Sequence, residues 1–408
     1  MPGPAHFEPL IVERFRPQRR SQRVAVVTET WPPEVNGVST SIAQLVAGLQ
    51  RRDHEVQLVR PRQIGDGTDR DTEGAFGPRA QVLTRGLPIP RYPELRLGVP
   101  ERRMLVRLWA AHRPDVVHLA TEGPLGWSAL HAARLLRLPV SSDFRTNFHA
   151  YSEHYGLGWL KGPIAAYLRK FHNRTLLTTV PTEALRRDLH ARGFRNLQVV
   201  ARGVDVERFS PGHRSATLRA SWGIARDDDL VVGYVGRLAS EKNLGVLLDA
   251  FDAIRQAVPC ARLLLVGDGP LRAQLCALRP DAIFAGPRGG DDLAAHYASC
   301  DLFVFPSLTE TFGNVIPEAM ASGLPIVAFD YAAAGQLIGD GRNGRTVAFG
   351  DTTAFVAAAA ALAADAPRRH EFGRQAREGA RSIGWDGIVE RFESLLESVI
   401  AGAPADLA

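Results

Sequence analysis

The stretch DLFVFPSLTETFGNVIPEAMASGLPIVAF, Asp301 to Phe329, decides how the chain is read. DLFVFPS is a short run of aromatic and branched residues, the pattern of a strand buried on both faces. Gly313 and Asn314 lead into a helix, VIPEAMAS, in which Pro317 suits the first turn, where no N–H is needed, and Gly323 is the stop. PIVAF is the next strand. Glu310 therefore falls in the loop at the carboxyl end of one strand, and Glu318 on the first turn of the helix after it. Two acids flank a helix N-terminus whose free N–H groups suit an anion. They fit a pair holding two hydroxyl-bearing groups of one ligand while backbone amides hold its phosphate. A capping acid beside a loop acid, or a general acid/base pair, uses the same residues.

Outward from this unit the same rhythm repeats. Towards the N-terminus, RVAVVT, EVQLVRP, QVLTR, DVVHLA, PVSSDF and LLTTVP read as strands separated by helical stretches. After Leu197 to Gly212, which contains a Pro-Gly break and reads as an inter-domain hinge, LVVGYVGRL, ARLLLVGDG, AIFAGP, DLFVFPS, PIVAF and GRTVAF form a second set. Alternating strand and helix predicts mainly parallel sheets covered on both faces. The expected fold is α/β, two Rossmann-like doubly wound domains facing one another across a cleft. The expected divisions are a basic lead-in over 1–22, an N-terminal domain over 23–200 and a C-terminal domain over 201–384. A last helix over 385–400, whose Ile388, Phe392, Leu395, Leu396 and Val399 share one face, is expected to pack back on the first domain. Gly65 to Pro78 reads as a polar loop.

A chain of 408 residues suits two domains, and no apolar run approaches a membrane span. The lead-in carries its charges after its apolar patch, the wrong order for a signal peptide, so a cytoplasmic location is expected. A net charge of +5 fits a phosphate-bearing small molecule, a polyanion or an anionic membrane, or an arginine-rich composition with no such partner. No nucleic-acid-binding signature is present. Cys260, Cys276 and Cys300 fit neither a zinc site nor a redox pair and read as buried structural thiols.

Two further stretches lie where ligands of such sheets bind. In TETWPPEVNGVSTSIAQL, Gly37 permits close backbone approach at a helix start, for an anion or simply for a tight connection. In GRLASEKNL, Arg237 ends a strand and Lys242 begins the next helix. The pair can clamp a diphosphate, unless Lys242 only pairs with Glu241 in solvent.

GRLASEKNL, VGDGP, SLTETFGNVIPEAMASGLPIVA, PPEVNGVST and GVDVERFSP, in their order along nearly the whole chain, resemble the retaining glycosyltransferases of family four, which have the GT-B fold. Glu310 and Glu318 match the family's E-x7-E motif. The resemblance implies a nucleoside-diphosphate sugar donor, with Arg237 and Lys242 on its diphosphate. Glu310, Thr311, Phe312, Gly313 and Asn314 would lie at the sugar, and Glu318 at the ribose. Gly37 would approach the phosphates from the other domain, with Gly267 and Gly286 near the base. No metal or other cofactor is implied, and RDDDL, Asp227 to Asp229, reads as a turn. Many relatives carry a histidine near the donor sugar where this chain, in DFRTNFHAY, has Arg145. Arg145 and His149 are both candidates for its role. His118, Glu122, His149 and Trp159 are acceptor-side candidates.

TETWPPEVNGVST, EGPLG and HYGLGWL are most similar to bacterial GDP-mannose-dependent α-mannosyltransferases and sulfolipid-synthase-like enzymes. Mannosyl transfer to a lipid or lipid-linked glycan is therefore expected, with a UDP-glucose or UDP-galactose donor as the alternative. A nucleotide-sugar epimerase, or a non-catalytic nucleotide-sugar-binding protein of the same fold, is the reading from another class. In Gly156 to Arg174, Trp159, Leu160, Ile164, Tyr167, Leu168 and Phe171 lie beside Lys161, Arg169, Lys170 and Arg174. This basic amphipathic stretch suits the inner face of the plasma membrane or, equally, a core-packed helix with a solvated face.

Overall fold

The computed structural model describes residues 21–34, 36–63, 66, 80–89, 92–145, 161–224, 226 and 229–402. His149 and Trp159, most of Gly65 to Pro78, and most of the lead-in lie outside them.

The N-terminal half contains β1 (Arg23–Val27), β2 (Glu55–Pro61), β3 (Ala80–Thr84), β4 (Gly86–Ile89), β5 (Tyr92–Gly98), β6 (Val116–Leu119), β7 (Val140–Asp143), β8 (Leu177–Val180) and β9 (Leu197–Val199). All but β4 and β5 join one parallel sheet in the order β3-β2-β1-β6-β7-β8-β9. The second half contains β10 (Val231–Val235), β11 (Arg262–Val266), β12 (Ile283–Gly286), β13 (Leu302–Phe305), β14 (Ile326–Phe329) and β15 (Gly344–Val347), a parallel sheet in the order β12-β11-β10-β13-β14-β15. Each sheet thus runs outward from its first strand in both directions. The crevices β1/β6 and β10/β13 are the two switch points where such folds bind ligands.

The apolar runs of the sequence are the buried strands, with Val231 to Val235 and Leu302 to Phe305 inside one core. On the first sheet, helix Gly37–Arg51 lays down Ile42, Leu45, Val46 and Leu49. Val389, Phe392, Leu395, Leu396 and Val399 of helix Trp385–Ala401 join the same cluster, so the end of the chain packs on the first domain. Gly48 makes that approach possible, since a Cβ there would lie 2.3 Å from a Val389 methyl. The chain crosses between domains twice, side by side: the Val204 amide donates to the Ile383 carbonyl at 3.1 Å, and Val204 bridges Gly384.

Three expectations change. The antiparallel hairpin β4–β5 was not anticipated. Of the cysteines only Cys300 is buried, while Cys260 is exposed and Cys276 half-buried, because the latter two lie on surface segments. Lys242 does not begin the long helix. It ends a 3-10 turn, Ser240–Lys242, and Asn243 at φ 55° separates it from helix Leu244–Ala257. The described part of the amphipathic stretch is helix Lys161–His172, and its Leu168 and Phe171 are consumed in the domain's own core. Among the described residues, no helix is long and apolar enough to cross a membrane.

Candidate functional site

The two loops that leave β10 and β13 face one another across the second switch point. Tyr234 OH donates to the Arg237 carbonyl at 3.1 Å and fixes the turn after β10. That turn packs tightly on the loop after β11: a Cβ on Gly267 would stand 2.0 Å from the Gly236 carbonyl oxygen, so only glycine fits. Lys242 Nζ pairs with Glu310 Oε1 and also reaches the Thr309 carbonyl at 3.3 Å. Its partner is therefore not Glu241, which instead faces Arg237 at 3.7 Å. Ser307 Oγ donates to the same Glu310 oxygen at 2.8 Å, and Tyr331 OH to the Glu310 carbonyl at 2.8 Å. Glu310 is thereby held at the end of β13, in a turn that needs Gly313 at φ 94°.

Beyond Glu310 the chain offers donors. The amides of Gly313 and Asn314 bond to no described residue, and helix Val315–Ala321 begins there without a side-chain cap. Such amides are ready for an anion. Glu318 is partly buried, and Tyr297 OH donates to its Oε2 at 2.9 Å. Burial raises its pKa to about 7, a shift that the Tyr297 hydrogen bond moderates. An uncharged carboxyl or a carboxylate can each bond a sugar hydroxyl.

The opposite wall comes from the first domain. Gly37 opens its helix with Asn36 as cap, whose Oδ1 accepts from Val38 and Ser39 amides. A Cβ on Gly37 would lie 3.2 Å from Asn314 Nδ2 and 3.3 Å from Arg202 Nη1. Arg145 also reaches this seam. Its carbonyl accepts from Thr311 Oγ1 at 3.3 Å, and its guanidinium pairs with Asp143. Gly37, Arg145, Lys242, Glu310, Thr311 and Asn314 are thus brought together. Phe312 is buried beneath them, and Arg237 sits at the rim with half of its side chain exposed. Gly286, at φ 73°, ends β12 next to the Gly267 loop.

Two acceptor-side candidates are corrected. His118 lies in the middle of the first sheet, 2% exposed, edge-on to Phe392 at 4.8 Å, with Nδ1 against Ser141 Oγ. Burial lowers its pKa to about 4, so it is a neutral core residue. Glu122 turns inward to His172 Nε2 at 3.3 Å, because the loop after β6 tucks its side chain under helix Lys161–His172.

Sequence reasoning missed Arg202, Tyr297 and Glu29. Glu29 follows β1 at the first switch point and accepts the Leu125 amide at 2.8 Å, capping helix Pro124–Leu135. Burial raises its pKa to about 7. Its position after the first strand was a visible signal, the same one that marks Glu310 after β13.

Family models for glycosyltransferase family 4 and for glycosyl transferases group 1 match residues 35–208 and 229–365, respectively. The chain is 38% identical over 329 residues to a GDP-mannose-dependent alpha-mannosyltransferase of Mycobacterium tuberculosis, covering 81% of this chain and 84% of that one. It is 27% identical to a GDP-mannose-dependent alpha-(1-6)-phosphatidylinositol monomannoside mannosyltransferase of the same organism, covering 92% and 98%. Among solved structures, Anabaena HepE in complex with UDP and glucose superimposes with a TM-score of 0.70 at 22% identity, covering 92% of this chain and all of that one.

Proposed function

The chain belongs to glycosyltransferase family 4, and from that premise we propose that it moves mannose from GDP-mannose to a lipid or lipid-linked glycan acceptor, with retention of anomeric configuration and without a metal. The observation that carries the proposal is the meeting of Lys242, Glu310 and the Gly313 and Asn314 amides, which bond to no described residue, with Gly37 across the domain seam. The names of the mannosyltransferase relatives support the donor, and the phosphatidylinositol monomannoside enzyme supports a lipid acceptor.

As the anomeric C–O bond breaks, negative charge collects on the diphosphate. Lys242, Arg237 and the amides after Glu310 are prearranged to stabilise it. The acceptor hydroxyl attacks from the same face. Its oxygen bonds the anomeric carbon, and its proton passes to the departing phosphate oxygen, so GDP leaves carrying the electron pair. In this reading Glu310 does not act as a nucleophile: it steers Lys242 and bonds the sugar, while Glu318 holds the ribose. The cations take the role that a divalent metal fills elsewhere.

A thermal-shift panel tests the donor, because a ligand bound only by the folded state raises Tm by mass action. GDP and GDP-mannose are expected to stabilise the protein more than UDP, UDP-glucose or UDP-galactose, and transfer is expected to persist in EDTA. Preference for the UDP series rejects the donor, and abolition of transfer by EDTA rejects metal independence. Turnover of donor sugar with no acceptor present would point to an epimerase.

A further inference from the structure

We propose that Arg145 and Arg202 form a second cation pair, at the seam between the domains, that takes an oxygen of the donor's diphosphate. This rests on the nucleotide-sugar reading above and adds a binding element to it.

Arg202 lies on the first of the two inter-domain crossings, two residues before the Val204 bridge. It is 8% exposed, and its Nη1 is 3.4 Å from Asn314 Oδ1. Its guanidinium sits over the Phe312 ring at 5.9 Å. It therefore occupies the space between the Gly37 helix start and the loop after β13. Arg145 approaches from the end of β7 with its side chain 7% exposed. One nitrogen pairs with Asp143, whereas Nε and Nη1 are buried with no hydrogen-bond partner among the described residues. A pocket lined by Ser41, Asp143, Arg145, Thr179, Arg202 and Trp385 opens beside them.

The charges do not balance. Among the described residues, Arg145, Arg202 and Lys242 stand against Asp143 and Glu310, one carboxylate too few. Burial first, and then Arg145, presses the Arg202 pKa down to about 9. Buried guanidinium N–H groups without acceptors are costly, and so are like charges in a desolvated place. A phosphate oxygen cures both faults, and the planar guanidinium fork suits it. The diphosphate is the favoured source, because Gly37 and Asn314 close on Arg202, and the Gly313 and Asn314 amides beside them bond to no described residue. An acceptor's phosphate has the same chemistry, so the experiment must separate the two.

Calorimetry with inorganic pyrophosphate, GDP and guanosine, on the wild type, Arg202→Gln, Arg202→Lys and Arg145→Gln, makes the test, with melting curves of each apo protein. The proposal expects pyrophosphate and GDP affinity to fall at least tenfold in both Gln variants, with partial recovery in Arg202→Lys. Guanosine affinity is expected to hold. The apo Arg202→Gln protein should melt no lower than wild type, because a buried like charge has been removed. GDP affinity within twofold of wild type overturns the proposal. So does an equal loss for guanosine, or a fall in apo Tm with GDP affinity kept, which would make the pair structural. A rise only in KM for a phosphate-bearing lipid acceptor also overturns it and assigns the site to the acceptor. Failure of the wild type to bind GDP-mannose, with arginine-dependent pyrophosphate binding kept, sinks the donor reading and leaves the cation pair standing.

Discussion

Replacing Lys242 by alanine separates chemistry from packing. In the folded protein the ammonium has two acceptors, Glu310 Oε1 and the Thr309 carbonyl, and both Lys242 and Glu310 side chains are only 16% exposed. Removing it leaves Glu310 with the Ser307 hydroxyl as its side-chain donor among the described residues, which costs about 1–3 kcal/mol of stability. Turnover suffers separately. Losing one prearranged charge contact to a departing oxyanion slows reactions by about 10²–10³, or roughly 2.7–4 kcal/mol. Lys242→Ala is therefore expected to melt a few degrees lower and to lose on the order of a hundredfold or more in GDP release, measured at saturating donor and acceptor. The double variant Lys242→Met, Glu310→Gln removes both charges and should regain much of the stability, but none of the rate. Near-normal turnover in folded Lys242→Ala refutes this role for the ammonium. Recovery of rate together with stability in the double variant would also refute it, since the ion pair would then be only a strut.

Gly37→Ala places a methyl 3.2 Å from Asn314 Nδ2 and 3.3 Å from Arg202 Nη1, so closing the seam should displace both; donor kcat/KM is expected to fall about tenfold with Tm unchanged. Phe392→Ala empties the space beneath the last helix and beside His118, and urea unfolding should register a loss of about 3–5 kcal/mol. Glu318 and Glu29 have folded pKa values of about 7 against an ordinary 4.5, so unfolding releases protons from both. The fold therefore escapes this penalty below about pH 4.5, loses stability as pH rises to about 7, and holds level above it. Each group contributes on the order of 3 kcal/mol. Glu318→Gln should flatten its share of that slope in urea titrations at pH 5 and pH 8, and an unchanged slope contradicts the assignment.

The strands were legible because burial on both faces writes them as uninterrupted apolar runs: EVQLVRP is β2 residue for residue, and DLFVFPS contains β13. The carboxyl-end rule put Arg237, Lys242 and Glu310 in the loops that leave β10 and β13, which is where the structure has them. The hairpin β4–β5 escaped because Pro88, Pro90 and Pro93 speak against strand structure. His118 was misjudged for a different reason. Whether a strand residue faces a cleft or a core depends on what covers the sheet, and the helix bearing Phe392 arrives from the far end of the chain. Arg202 likewise acquires its meaning only when two distant loops meet. Lys242 was found, but its partner was not, because Glu241 is adjacent in sequence whereas Glu310 comes from the loop after another strand.

The proposed reaction at the seam between Lys242, Glu310 and Gly37 is transfer of a mannosyl group from GDP-mannose to an acceptor hydroxyl. NMR of the product formed from GDP-mannose and a bacterial lipid extract tests it most directly, with GDP release followed in the same tube. An α-mannoside, formed one for one with GDP and only when lipid is present, is the predicted result. Free mannose, an epimerised nucleotide sugar, a β-linked product or no reaction would contradict it.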